Sequence, residues 1–179
     1  ESVNVPFILQ YPARFGTETI EVEAPINVPD VLPTLLTLSG LVIPEFIEGE
    51  SMVDAIVNPE SKQDNAALVM NVSPFARKND DEYRGVYNSR YAYVKNLDGP
   101  WFLFDHEKDP LQMNNLVNQP EYEQLQQEME VILQRKLKEI GDEFRPRQYY
   151  IDKWGYELTK GGYIDYSEGA KAQGPSLNN

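Results

Sequence analysis

The chain has 179 residues, with 29 Asp and Glu against 16 Lys and Arg, a net charge of −13 and no cysteine. That field repels polyphosphate and excludes nucleic acid as a partner, while the missing thiols exclude disulfides, thiolate metal sites and cysteine nucleophiles within the chain. No stretch reaches the roughly 18 consecutive apolar residues of a membrane span, since the longest apolar region, residues 28–43, is interrupted by Pro29, Asp30, Pro33 and Gly40.

Taken in chain order, the first element is the apolar run Val5-Pro6-Phe7-Ile8-Leu9. Such runs suit strands buried on both faces, so a strand is expected over residues 5–11. The chain opens on Glu1 without a signal-peptide pattern, and reads as starting inside a fold whose upstream part is missing. Residues 19–23 alternate Thr-Ile-Glu-Val-Glu and fit a short half-exposed strand. Asp30 suits the N-cap of a helix over 31–39, with Pro33 in the tolerated first turn and Gly40 at the end. Val31, Leu32, Leu35, Leu36 and Leu38 spread around most of that helix, which predicts burial on more than one side. Ser51 and Asp54 fit a capping box opening a short helix over 51–57.

Residues 58–65 are polar and read as a linker. Strands are then expected over 67–72, 83–88, 91–97 and 101–104, with Asp98-Gly99 as a hairpin turn. Asn118, Pro120 and Glu121 open a helix in which Tyr122, Leu125, Met129, Ile132, Leu133, Leu137 and Ile140 recur at spacings of three and four, ending at Gly141. A helix of that kind covers one face of an antiparallel sheet. The fold class is therefore α+β: a small antiparallel sheet of about four strands under a long C-terminal helix. The tail over 142–179 is rich in Tyr and Gly, and its composition after Ser167 predicts fraying.

Several pieces, in order, resemble the sulfatase family of the alkaline-phosphatase-like superfamily. ESVNVPFILQYP at 1–12 is similar to the family strand EESxxVPfilxyP. DVLPTLLTLSG at 30–40 resembles the helix DixPTllxlxG, and the following Ile43-Pro44 and EGESM at 48–52 resemble iPxxxxGxSl. Residues 83–95 resemble the family's Rxvrtxxyky hairpin, and FDHEKDPLQMNNL at 104–116 resembles lyDlxxDPxexxNL, with Gln112 where the family often has Glu. The resemblance covers about residues 1–141. It implies that residues 1–58 are a strand–helix remnant of a larger α/β catalytic core, 59–141 the C-terminal subdomain and 142–179 an appended tail.

It also implies a parent enzyme, bacterial and periplasmic or extracellular, that hydrolyses aryl or carbohydrate sulfate esters through formylglycine and a divalent metal, usually Ca2+. Sulfate-ester cleavage calls for a strong nucleophile polarised by a hard cation, and for cations where charge builds on the sulfuryl oxygens. In the family pattern the C/S-x-P-x-R motif and the metal-binding Asp, Asn and His lie before the position of Glu1. This chain has no such motif: Gln10-Tyr11-Pro12-Ala13-Arg14 has the spacing, but Gln cannot be oxidised to the aldehyde. No catalytic residue, metal ligand or cofactor is thus expected in the chain itself.

Asp80, Asp81 and Glu82 point in different directions and read as a solvated turn rather than a metal loop. His106, the only histidine, reads as a loop residue after a strand. Substrate-binding candidates are Arg77, Lys78, Tyr83 and Arg84, since a sulfated sugar favours Arg for its anionic groups and an aromatic face for stacking. The same residues also read as surface charges and sheet pairs, the plainer alternative. Tyr149, Tyr150, Trp154 and Tyr156 either line a cleft or staple the tail to the body, the latter being favoured. The resemblance gives structural roles to Asp30, Pro33, Thr34, Asp105, Asp109, Pro110 and Asn115, with Asp105, Asp109 and Asn115 fixing the entry to the long helix.

The expected function is that of a C-terminal sulfatase fragment, inactive alone, whose partner is the missing N-terminal half. The alternatives are a stand-alone noncatalytic binding module and a fragment of a related phosphate-ester hydrolase. A fragment would leave its apolar helix bare and self-associate through it.

Overall fold

The structure is a computed structural model that describes residue 3 and residues 5–58, 65–72 and 82–162. Four strands, β1 (Ala67–Asn71), β2 (Tyr83–Tyr87), β3 (Tyr91–Asn96) and β4 (Gly99–Asp105), pair antiparallel in the order of the sequence. Helix α4 (Glu123–Glu139) lies across one face, preceded by a 3-10 turn at Pro120–Tyr122. Leu68, Val86, Tyr93 and Leu103 are in register across the sheet. They meet Met129, Leu133 and Leu137 of α4, spaced by four, to form the core with Ala66. Full burial of each such apolar side chain is worth about 1.5–3 kcal/mol. On the opposite face Gly85 keeps the strands close: a Cβ there would sit 2.7 Å from the Tyr93 carbonyl oxygen and from Val94.

The turns follow from local chemistry. The Asn88 side-chain oxygen accepts from the amides of Arg90 (2.9 Å) and Tyr91 (2.6 Å), closing the β2–β3 turn. The β3–β4 loop consists of Leu97 and Asp98, with Gly99 at φ 130° starting β4, so the turn lies one residue earlier than expected. Helix α4 starts at Glu123 rather than at an Asn118 cap. Asn118 sits at φ 59° and instead exchanges hydrogen bonds with the Gln126 side chain, which leaves Pro120 to open the 3-10 turn. At its other end, Gly141 (φ 66°) and the Asp142 amide on the Leu137 carbonyl (2.9 Å) close α4 as the sequence suggests.

The N-terminal part differs more. Residues 5–11 form no strand, because a strand buried on both faces needs flanking strands and the described residues offer none. Pro12–Phe15 makes a single turn, α1, and residues 19–23 are not a strand either. Helix α2 spans Val28–Leu38, capped by Asn27 rather than Asp30. Asp30 occupies the third helical position, and its carboxylate reaches back to the Asn27 amide at 2.8 Å. Pro33 consequently lies inside the helix, beyond the first turn. Gly40 (φ 70°), with the Leu41 amide on the Leu36 carbonyl, ends it. The short helix α3 is Val53–Val57. Helix α2 packs on α3 yet leaves Val28, Leu32 and Leu35 exposed, so the burial on more than one side expected of it is not provided within the described residues.

After α4 the described residues form one more helix, α5 (Arg147–Trp154), which the tail's composition did not announce. Two of its residues, Tyr150 and Ile151, are buried.

Candidate functional site

Three side-chain clusters gather the residues singled out by the sequence. In the first, Asp30 and Thr34 of α2 hold the segment that leads into α3. Asp30 accepts the Glu50 amide at 2.8 Å, and the buried Thr34 hydroxyl accepts the Met52 amide at 2.9 Å while donating to the Asp30 carbonyl at 2.6 Å. Gly49 rests on the start of the same helix at φ 89°; a Cβ there would come within 2.5 Å of the Pro29 carbonyl group. Pro33 is buried beside Thr34. The two motifs at 30–40 and 48–52 thus meet in one corner.

In the second, the loop after β4 is organised by three side chains. Asp105 is buried and accepts from Arg90 Nη2 at 3.0 Å and from the amides of Glu107 and Lys108, both at 3.2 Å. Burial alone would push its carboxyl up, but Arg90 and the Lys108 amide outweigh that and hold it below the ordinary carboxylate value. Asp109 accepts the Asn114 amide at 2.7 Å, and amide donors of this loop likewise hold its carboxyl low. Pro110 follows at the second position of a turn closed by the Gln112 amide on the Asp109 carbonyl, and Gln112 takes φ 55°. Asn115 lies along β4: its Oδ1 accepts from the Leu103 amide (3.0 Å) and its Nδ2 donates to the Trp101 carbonyl (2.9 Å).

His106 stacks on Tyr87 at 5.1 Å, with its Nδ1 3.2 Å from the Gln112 side-chain nitrogen. Burial pushes its ring pKa down, against an opposing pull from Asp105. Its Nε2 is buried and lacks a hydrogen-bond partner among the described residues.

The third cluster contains two of the four substrate-binding candidates, and it separates them. Arg77 and Lys78 lie outside the described residues, as do Asp80 and Asp81. Tyr83 and Arg84 are neighbours on β2, so their side chains leave opposite faces of the sheet. Tyr83 is half-buried against Trp101 at 6.4 Å. Arg84 goes to the α4 side, where it is 0% exposed. Its guanidinium pairs with Asp142, donates at 2.9 Å to the carbonyls of both Asn71 and Tyr83, and lies 4.7 Å from the Phe144 ring. The charge of an arginine so enclosed is met within the chain, and this arrangement lends no support to sulfate contact by Arg84. A buried arginine demands a buried acid. Nothing in the local pattern marked Asp142 as that acid, beyond its place just after the helix-stopping Gly141.

Among the described residues no group of three or more His, Asp or Glu side chains is placed to hold a metal ion.

The sequence matches the family described as N-sulphoglucosamine sulphohydrolase, C-terminal, over residues 1–139. The chain belongs to that sulfatase family. It is 45% identical over 161 residues to an ulvan-active sulfatase of Formosa agariphila, an alignment taking in 89% of this chain and 32% of that protein. An endo-4-O-sulfatase of Bacteroides thetaiotaomicron is 27% identical over 183 residues, covering 87% of this chain and 34% of that one. A solved structure in complex with its substrate, D-glucosamine-2-N,6-O-disulfate, shares the fold at a TM-score of 0.53 and 24% identity, over 61% of this chain and 23% of that one. The chain thus spans about a third of the length of the curated relatives it matches. The antiparallel sheet and its helix lie within the residues that match this C-terminal sulfatase family.

Proposed function

We propose that this chain is the C-terminal part of a sulfatase that removes sulfate from carbohydrate esters, and that it is inactive until joined to the catalytic part. The observation that carries the reading is the 45% identity to one third of an ulvan-active sulfatase. The exposed surface supports it. Ile8, Val28, Val42 and Phe46 are 90%, 87%, 89% and 83% exposed, all within residues 5–58. Apolar residues bare in such numbers over one short region mark a surface that another polypeptide covers. In the reading proposed here, residues 1–58 complete the catalytic domain, 59–141 form the subdomain beside the cleft, and 142–179 are an appended tail. Formylglycine and a divalent cation, Ca2+ in the resemblance, belong to the part that the relatives have and this chain does not span. Arg77, Lys78 and Tyr83 remain the candidates for contact with the sulfated sugar. A bacterial periplasmic or extracellular setting fits a polysaccharide substrate; among the described residues no helix is long and apolar enough to cross a membrane.

The test is complementation. The chain alone and the chain mixed or fused with the N-terminal two thirds of the ulvan-active relative are assayed for sulfate release from ulvan oligosaccharides. Release is expected only from the combined protein. Metal-dependent release by the repurified chain alone would overturn the proposal.

A further inference from the structure

The side chains around Arg84 join parts of the chain that are distant in sequence. Asn71 ends β1 and Tyr83 begins β2, and the two are paired across the sheet. Arg84 Nη1 donates to both of their carbonyls. One guanidinium nitrogen therefore spans the point where β1 leaves the sheet and β2 enters it. The rest of that guanidinium is held by the tail. Asp142 receives Nε, and Nη2 at 3.3 Å. The Asp142 carboxylate also accepts from the Phe144 amide (2.8 Å) and the Tyr150 hydroxyl (2.9 Å), and that hydroxyl accepts the Arg145 amide at 3.2 Å. Phe144 takes a left-handed backbone, φ 46°, which places its ring against Arg84. Such a conformation is unfavourable for a bulky residue and is retained only where its surroundings impose it.

A second link reaches the same place. Glu82, the residue before β2, is buried, and its Oε1 accepts the Arg147 amide at 2.8 Å and pairs with Arg147 Nε at 2.9 Å. Arg147 opens α5. The exit of β1 and the entry of β2 are thus gripped twice, by Asp142 through Arg84 and by Arg147 through Glu82. Both grips come from residues beyond position 139, where the family match ends.

We infer that residues 142–154 are a clamp that fixes the junction of β1 and β2, and that Arg84 is its positioning residue. The acid on the tail neutralises a guanidinium that no other described acid reaches, and the guanidinium in turn ties the two strand ends at a set spacing. Charge-assisted bonds of this kind, shielded from water, hold geometry more firmly than the exposed pairs on α4.

The experiment is amide hydrogen exchange on the full chain and on three variants, Arg147→Ala, Tyr150→Phe and Asp142→Asn. The amides of residues 71, 72 and 82–84 report the junction, and those of 92–94 in β3 report the sheet as a whole. Exchange at the junction is expected to rise at least tenfold in Arg147→Ala and Tyr150→Phe, with β3 changed less than twofold. Asp142→Asn should exceed both; if it fails to fold, the other two variants still decide. Unchanged exchange at the junction, or an equal rise at both places, would overturn the inference, since the tail would then contribute nothing local.

Discussion

Asp105, Asp142 and His106 are each held in one charge state by their surroundings, and each does so at a cost that appears as the solution is acidified. The two carboxyls titrate below their ordinary value of 3.8 in the folded chain, because Arg90 and the Lys108 amide at one, and Arg84, the Phe144 amide and Tyr150 at the other, outweigh burial. The unfolded chain takes up these protons first. The stabilisation is therefore complete above pH 3.8 and is lost as pH falls through the depressed folded values. His106 acts in the same direction at higher pH. Burial holds its ring neutral below the usual 6.5, so the unfolded chain binds that proton first and stability declines once pH drops under 6.5. Urea unfolding should thus show two losses as the pH falls, one setting in around pH 6.5 and a second below pH 3.8. The first should vanish in His106→Gln, and the second should shrink in Asp105→Asn. A profile that stays flat as the pH falls through 6.5 would show that the ring is not held neutral.

At the level of elements, β4 is an edge strand, and edges invite pairing with other chains. Here the edge is occupied from within: Asn115 bonds the Leu103 amide and the Trp101 carbonyl, and the Leu116 amide donates to the Leu103 carbonyl at 2.8 Å. Asn115→Ala strips three backbone groups of this partner, the Leu103 and Val117 amides and the Trp101 carbonyl, and should lower stability by about 1–3 kcal/mol. Thermal and urea unfolding measure this, and an unchanged midpoint would mean that water replaces the amide at no cost. The elements also differ in how far the sequence announced them. Helix α4 was legible because its apolar residues repeat at helical spacing and its end carries Gly141, both local facts. Helix α5 was not, since its eight residues lack such a repeat and its position is set by Asp142, Arg84 and Glu82. The strand expected over 5–11 failed for a related reason: its apolar run speaks of burial, and burial needs neighbours that the described residues lack.

For the molecule as a whole, two regions have opposite character. The sheet and α4 enclose a continuous core. Residues 5–58 instead place several large apolar side chains in solvent. If the catalytic part of a sulfatase normally covers that surface, the isolated chain should bind an apolar-surface dye such as ANS and elute as dimers or larger species. Removing residues 1–58 should abolish both properties while leaving the β-sheet signal in circular dichroism. A monomeric full chain that binds no dye would favour a self-sufficient module over a part of a larger enzyme.

The sequence by itself determined the α+β class, the four-strand meander, the long helix and the sulfatase kinship, because periodicity, turn residues and short motifs are properties of neighbours along the chain. Only the tertiary structure decided the fate of Arg84. On paper it stood beside Tyr83 as one half of a binding pair. In the fold, the alternation of a strand sends the two to opposite faces, and the buried guanidinium is neutralised by an acid 58 residues away in sequence, Asp142.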